Sequence, residues 1–323
     1  MPQTGRKFLR FLLCGLSCLL LISCQPQQQV QLRIGTNLWP GYEPLYIARD
    51  RQLFQDLDVQ LIEYRAAGQV INGLRKGSIN MAAVTLDEAV RIAASGIPVE
   101  VIWLFNMSDG ADQLLARSGI DSIEALKGKK IGVETNALGA YLLHRFFSLH
   151  QLQASEFQII GLDLAAHAQA MANAEIDAVM TFEPEKSKML RQGAKALFTS
   201  REVPGEVMDV LIVRKDGPDV PTEAQLQQFI RQYHQLFSQI EADLPAWYDA
   251  LNKRMKLSPA ELAQTYRELQ IPSVAIQRTI LGNKTRLAEV IKGYETVLLQ
   301  IGMIDKPCAC SALINTKYLD TLP

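Results

Sequence analysis

The chain has 323 residues, 48% of them hydrophobic and 21% charged, with 33 Lys and Arg against 34 Asp and Glu. That is enough chain for one large or two medium domains with real cores. The near-zero net charge, with no Lys/Arg run or basic patch past the first residues, argues against nucleic acid as a partner.

Arg6, Lys7 and Arg10 open the chain, and Phe11 to Ile22 is an apolar run. The run is well short of the roughly 20 residues that span a bilayer, but it suits the core of a signal peptide. It ends in Leu21-Ile22-Ser23-Cys24, which resembles the lipobox of bacterial lipoproteins, in which the Cys becomes the acylated first residue. Residues 1–23 are therefore expected to be a lipoprotein signal peptide and residues 24–30 a polar, Gln-rich tether. Lipidation at Cys24 would hold the protein on a membrane without spanning it; the bland alternative is a soluble signal with an incidental Cys. Cys14 and Cys18 would leave with the signal, so only Cys308 and Cys310 remain. They read as a local disulfide or a free pair, because a metal needs more ligands than two thiols and no His lies near.

Residues 31–108 read as a first α/β lobe. Leu32 and Ile34 mark a short strand, Asn37, Trp39, Pro40, Gly41 and Tyr42 a loop, and Pro44 the first turn of a helix. Leu57 to Tyr64 alternates as a second strand, and Arg65 to Gly68 turns into a helix carrying Val70, Ile71 and Leu74, ended by Gly77. A strand from Ile79, a helix over Leu86 to Ala94 capped by Thr85 and Asp87, and a strand over Pro98 to Phe105 follow. Residues 106–110 are polar and suit a crossing into a second lobe.

Residues 109–206 repeat the plan. Lys130 to Asn136 echoes Arg33 to Asn37, and the Ile176 strand follows Ile131 at the spacing that separates Ile79 from Ile34. Gln113 to Arg117, Phe157 to Ile160, and helices over Leu138 to Leu149 and Leu164 to Ala174 complete this lobe, with Thr181 to Pro184 opening one more helix. Met208 to Val213 reads as a strand returning to lobe 1, so residues 207–323 are assigned to that return and to C-terminal helices. Two crossings make a hinge that closes without unfolding. Thr222-Glu223-Ala224-Gln225 and Ser258-Pro259-Ala260-Glu261 are capping boxes. Leu226 to Ile240 and Leu287 to Ile301 carry apolar stripes at helical spacing, which read as core or, alternatively, as a docking face. The tail past Gly302 shows no legible period.

Five stretches in order, WPGYEPLYIARDRQLF, GSINMAAVTLDEA, LKGKKIGVE, EIDAVMTFEPE and MDVLIVRKD, resemble the substrate-binding proteins of ABC importers. The branch is the one that includes nitrate, sulfonate, taurine and thiamine-pyrimidine binders, and the likeness runs from about Leu32 to Lys215. It implies a two-lobed periplasmic binding protein fold of type II kind, in which two α/β lobes joined by a two-crossing hinge precede a helical C-terminal portion. It also implies a monomeric, membrane-anchored lipoprotein of the bacterial cell envelope that hands a small-molecule ligand to an ABC permease and its ATPase. A sensory lipoprotein reporting to a membrane kinase and an envelope enzyme on the same fold are the rival readings.

In such a fold ligands sit at the carboxyl ends of strands. The candidate ligand-binding residues are Asn37, Trp39 and Tyr42 in the first loop, with Arg65 and Gly68 at the next helix start. Thr85 ends a strand, Ser108 and Asp109 lie at the crossing, and Asp209 lies on the return strand. Thr135 and Asn136 precede a helix whose amides can bind a polar group, and Phe182 and Glu183 form a far wall. Trp39 and Tyr42 can stack on a flat ligand; the plainer reading has Trp39 packed in its own lobe. Sulfonate or nitrate would need cationic or N–H-rich walls. The cleft loops instead hold Glu43, Asp109, Asp112, Glu183 and Asp209 against one clear cation, Arg65. A ligand with amine or ring N–H donors is therefore expected, with Arg65 and Gly68 as the anion-site alternative. No cofactor or metal is expected. There is no G-x-S-x-G, H-E-x-x-H, P-loop or G-x-G-x-x-G. His144, His150, His167 and His234 are scattered, and only His167 is placed to approach a cleft.

Overall fold

The repeat in the sequence is a repeat in the structure, a computed structural model that describes residues 29–308 and 310–323. Cys24 and residues 1–23, expected to be a signal peptide, lie outside the described residues. Strand β1 (Leu32–Thr36) lies parallel between β2 (Val59–Glu63) and β3 (Met81–Thr85). Strand β6 (Lys130–Val133) lies in the same way between β7 (Gln158–Gly161) and β8 (Ala178–Thr181). The register matches: Gly35 faces Ala82, and Gly132 faces Val179. So do the side chains that fix it. The Arg33 N–H donates to Asn80 Oδ1 at 2.9 Å, and the Lys130 N–H donates to Asp177 Oδ2 at 3.0 Å. Both glycines are held by packing. A Cβ on Gly35 would collide with Ile79 Cδ1, and one on Gly132 would lie 2.9 Å from Ile176 Cδ1.

The remaining strands run antiparallel and link the halves. β4 (Val99–Ser108), β10 (Met208–Arg214) and the short β11 (Leu269–Gln270) complete the first sheet, in the order β11-β4-β10-β3-β1-β2. β5 (Gln113–Ala116) and β9 (Lys195–Thr199) complete the second, β7-β6-β8-β5-β9. The chain thus changes sheet between Ser108 and Gln113 and again between Thr199 and Met208. Strand β9 is absent from the sequence reading for a physical reason. It is an edge strand in which only Phe198 is buried, so it shows no apolar alternation.

Local signals set the helices that frame the loops. α1 (Glu43–Asp50) has Pro in its first turn, and α2 (Ala67–Lys76) ends on Gly77, whose φ of 74° needs no Cβ. α3 (Leu86–Ala94) starts with a Thr85–Glu88 capping box. In the second lobe α4 (Leu138–Leu149), α5 (His167–Ala172) and α6 (Glu185–Arg191) follow β6, β7 and β8.

Beyond β10 the chain is mostly helical. α7 (Glu223–Ala242) buries Leu226, Phe229, Tyr233 and Phe237; Phe229 stacks on Phe54 and Tyr233 meets Trp103 edge-on. α8 (Tyr248–Met255), α9 (Pro259–Arg267), α10 (Val274–Gly282) and α11 (Lys284–Gln300) follow. Two of them also reach the second lobe. Tyr294 on α11 donates to the Glu206 carbonyl at 2.8 Å, and Glu261 on α9 pairs with Arg191. The tail is not loose: Cys308 and Cys310 are disulfide-bonded, Ile314 bridges to Val101, and α12 (Lys317–Asp320) buries Tyr318 and Leu319. Among the described residues no helix is long and apolar enough to cross a membrane.

Candidate functional site

The carboxyl ends of β1, β3, β6 and β8 all open onto the gap between the two sheets. There the loops line a partly open cleft. Lobe 1 lines it with Asn37, Trp39, Tyr42, Ala67, Thr85 and Glu88, and lobe 2 with Glu134, Ala137, Leu138 and Phe182. Asp112, from the first crossing, and Asp209, from the return strand, line it as well. The internal repeat builds opposing walls. Asn37 follows β1 where Glu134 follows β6, and Thr85 closes β3 at the position that Phe182 takes after β8.

The aromatic walls meet across the gap. Trp39 and Phe182 pack edge to face with centroids 5.4 Å apart. Trp39 is 4% exposed, yet among the described residues its indole N–H has no partner. Tyr42 packs edge-on to Phe105 and donates its hydroxyl to Asp209 Oδ1 at 2.6 Å.

Four carboxyl groups, Glu88, Asp112, Glu134 and Asp209, stand in the walls, and among the described residues no Lys or Arg does. All four are buried. Burial drives the Asp209 carboxyl well above its ordinary range and lifts Asp112 to about 6. Burial, with repulsion from Glu88 and Asp163 added, lifts Glu134 to about 8. Glu88 is raised by burial as well, against the pull of the Thr85 and Leu138 amides. Among the described residues Asp112 Oδ2 and Asp209 Oδ2 have no hydrogen-bond partner. Unpaired charge away from water is costly, so the wall is set to take up a cation, N–H donors, or protons.

Of the residues expected from sequence, Asn37, Trp39, Tyr42, Thr85, Phe182 and Asp209 line the cavity. The others do not. Arg65 is exposed, its own N–H held by Gln69 Oε1, because its side chain leaves the α2 start on the solvent side. Thr135 and Asn136 are exposed at the mouth, where the Asn136 carbonyl accepts from Arg91 at 2.5 Å. Gly68 also lies at the mouth, directly against Asn136. Ser108 bonds Ser200 Oγ at 2.7 Å, and Asp109 pairs with Arg201 at 3.4 Å. Glu183 turns into its own helix, accepting from Ser187 N and Oγ and pairing with the buried Lys186. Glu43, counted among the cleft charges, pairs with Arg254 on α8 at 3.1 Å instead. His167 is buried against Thr181 Oγ1 at 3.1 Å, and burial lowers it to about 4, so it is a neutral structural residue outside the lining.

Glu88 and Glu134 were not singled out from the sequence, although signals for both were there. Glu134 occupies the position of Asn37 in the second copy of the repeat, and Glu88 completes the Thr-x-x-Glu capping box at Thr85. Ala67, Ala137 and Leu138 have no such signal. Among the described residues no group of three or more His, Cys, Asp or Glu is arranged to hold a metal ion.

A family model described as "NMT1/THI5 like" matches residues 39–231. A Bacillus subtilis (strain 168) protein named for binding aliphatic sulfonates is 28% identical over 180 residues, which is 53% of this chain and 54% of that one. The taurine-binding periplasmic protein of Escherichia coli (strain K12) is 22% identical over 180 residues, 54% of this chain and 56% of that one. The chain spans about half the length of the curated relatives it matches. The alkanesulfonate-binding protein SsuA from Xanthomonas axonopodis pv. citri, solved with MOPS, superposes with a TM-score of 0.69 at 18% identity. That superposition covers 91% of this chain and 100% of SsuA, and it bears out the two-lobed periplasmic binding protein fold.

Proposed function

Because the chain belongs to the NMT1/THI5-like family, we propose that it is the solute-binding component of an ABC importer, selecting a small organic cation or N–H-rich heterocycle. The relatives bind solutes by name, and a two-lobed fold with a cavity between the lobes suits capture by closure. One observation carries the ligand class. Four buried carboxyl groups face an aromatic-walled cavity whose lining, among the described residues, contains no cation. An amine or amidine-like group would neutralise acids that otherwise stand unpaired, while Trp39 and Phe182 cover its flat or apolar part.

The deciding experiment is a thermal-shift panel of alkylamines, aminopyrimidines, taurine, alkanesulfonates and nitrate, followed by calorimetry on the hits. Stabilisation by amines or aminopyrimidines, lost in Asp209→Asn, is the expected result. Stabilisation confined to sulfonates or nitrate would overturn the ligand class. The Leu21-Ile22-Ser23-Cys24 motif further supports a lipid anchor on Cys24 that holds the protein at the cell-envelope membrane. Metabolic labelling with fatty acid should mark the wild type and not Cys24→Ala; an unlabelled wild type removes the anchor.

A further inference from the structure

Glu88 is placed unlike the other cleft acids. Its Oε2 accepts the Thr85 N–H of its own lobe at 3.1 Å, and its Oε1 accepts the Leu138 N–H of the opposite lobe at 3.2 Å. Both amides belong to helix starts: Thr85 is the cap of α3, and Leu138 is the first residue of α4. A helix start presents N–H groups without intrahelical partners and a partial positive potential, which suits an oxyanion. Here the protein supplies that anion itself, on a side chain 2% exposed that also forms part of the cavity wall. The capping box pins one oxygen to α3, so the other is presented to α4 at a fixed position. Asp112 Oδ2 and Asp209 Oδ2, both buried in the same wall without hydrogen-bond partners among the described residues, point to a ligand of opposite character.

Resting on the solute-binding reading above, we propose that Glu88 determines the specificity of this cleft: its carboxylate closes lobe 1 onto the amide end of α4 and bars sulfonates and other small oxyanions from it. An entering oxyanion must displace the Glu88 carboxylate from the Leu138 amide. Specificity of this kind works by repelling the wrong ligand as much as by holding the right one.

The test titrates ethanesulfonate against wild type, Glu88→Gln and Glu88→Ala by calorimetry, with thermal melts verifying that each is folded. Glu88→Gln keeps the shape and removes the charge. Both variants are expected to bind ethanesulfonate at least tenfold more tightly than the wild type. Loss of a helix cap alone lowers stability and creates no affinity for a new ligand, so a structural role does not mimic this gain. Unchanged or weaker ethanesulfonate affinity in both variants overturns the inference, whatever else the protein binds. If the wild type binds an amine and neither variant gains sulfonate affinity, the inference falls and the proposed function stands. Tight ethanesulfonate binding by the wild type removes both.

Discussion

Trp39, in the loop after β1, and Phe182, after β8, meet edge to face at 5.4 Å and join the two lobes over the cavity. Each loop belongs to a different lobe, so opening the lobes would break the contact. Trp39 is then both a wall of the cavity and a part of the closure. Trp39→Ala is expected to weaken ligand binding more than tenfold, about 1.4 kcal/mol or more, and the wild-type emission should change on titration. An unaltered dissociation constant would return Trp39 to a purely packing role.

Protons should move when ligand binds. In the empty cleft burial lifts Asp112 to about 6 and Glu134 to about 8, and pushes Asp209 up. A bound cation favours their ionised forms, so binding of an amine between pH 6 and 8 releases protons and tightens as pH rises. A neutral heterocycle that accepts a hydrogen bond from a protonated carboxyl gives the opposite slope. Calorimetry in two buffers of different ionisation enthalpy reads the sign directly. No proton exchange across this range would mean that the cleft acids do not meet the ligand.

The sheets and the repeat were legible in the sequence because Ile34 and Ile131 head the same motif and are followed at the same spacing by Ile79 and Ile176. The pairing of Gly35 with Ala82 and of Gly132 with Val179 is that repeat in three dimensions. Less of the site was legible. Loop residues at strand ends, such as Asn37 and Phe182, follow from topology. Which way a side chain turns does not: Glu183 curls back onto Ser187, and Arg65 leaves for solvent. Glu88 reads as an ordinary helix cap until the second lobe brings the Leu138 N–H onto its other oxygen. That contact joins positions 50 residues apart, which no local pattern encodes.

Stability should fall as pH rises from 7 to 8.5. The Glu134 carboxyl sits at about 8 against its ordinary 4.5, so over this range the folded protein holds a proton that the unfolded chain has lost. The slope is then negative, up to about 1 kcal/mol per pH unit, or roughly 2–4 °C in Tm for each kcal/mol. His167, lowered to about 4, stays neutral here and does not interfere. Glu134→Gln removes this contribution and should make the slope shallower, leaving that of the other buried acids, Glu43 and Asp87 at about 7 and the raised Asp209, in place. Melting temperatures at the two pH values decide it, and equal slopes in wild type and variant would acquit Glu134.

Gly68 offers a way to separate closure from folding. It is the second residue of α2, and its bare Cα faces the Asn136 side chain of the other lobe. A Cβ there would stand 2.9 Å from both terminal atoms of that amide and 3.0 Å from its Cγ, with no other contact inside 4 Å among the nearest three. The three nearest atoms such a Cβ would meet thus all belong to the other lobe. Within its own lobe Ala is the better helix residue, by up to about 1 kcal/mol. Gly68→Ala should therefore leave the ligand-free Tm unchanged or slightly raised, while weakening ligand affinity several-fold because the closed state is strained. The strain has a named partner, so it can be relieved. Adding Asn136→Ala to Gly68→Ala should restore most of the lost affinity, giving a coupling that a double-mutant cycle measures. A lowered ligand-free Tm in the single variant, or a double variant no better than the single, would place the effect inside lobe 1 rather than between the lobes.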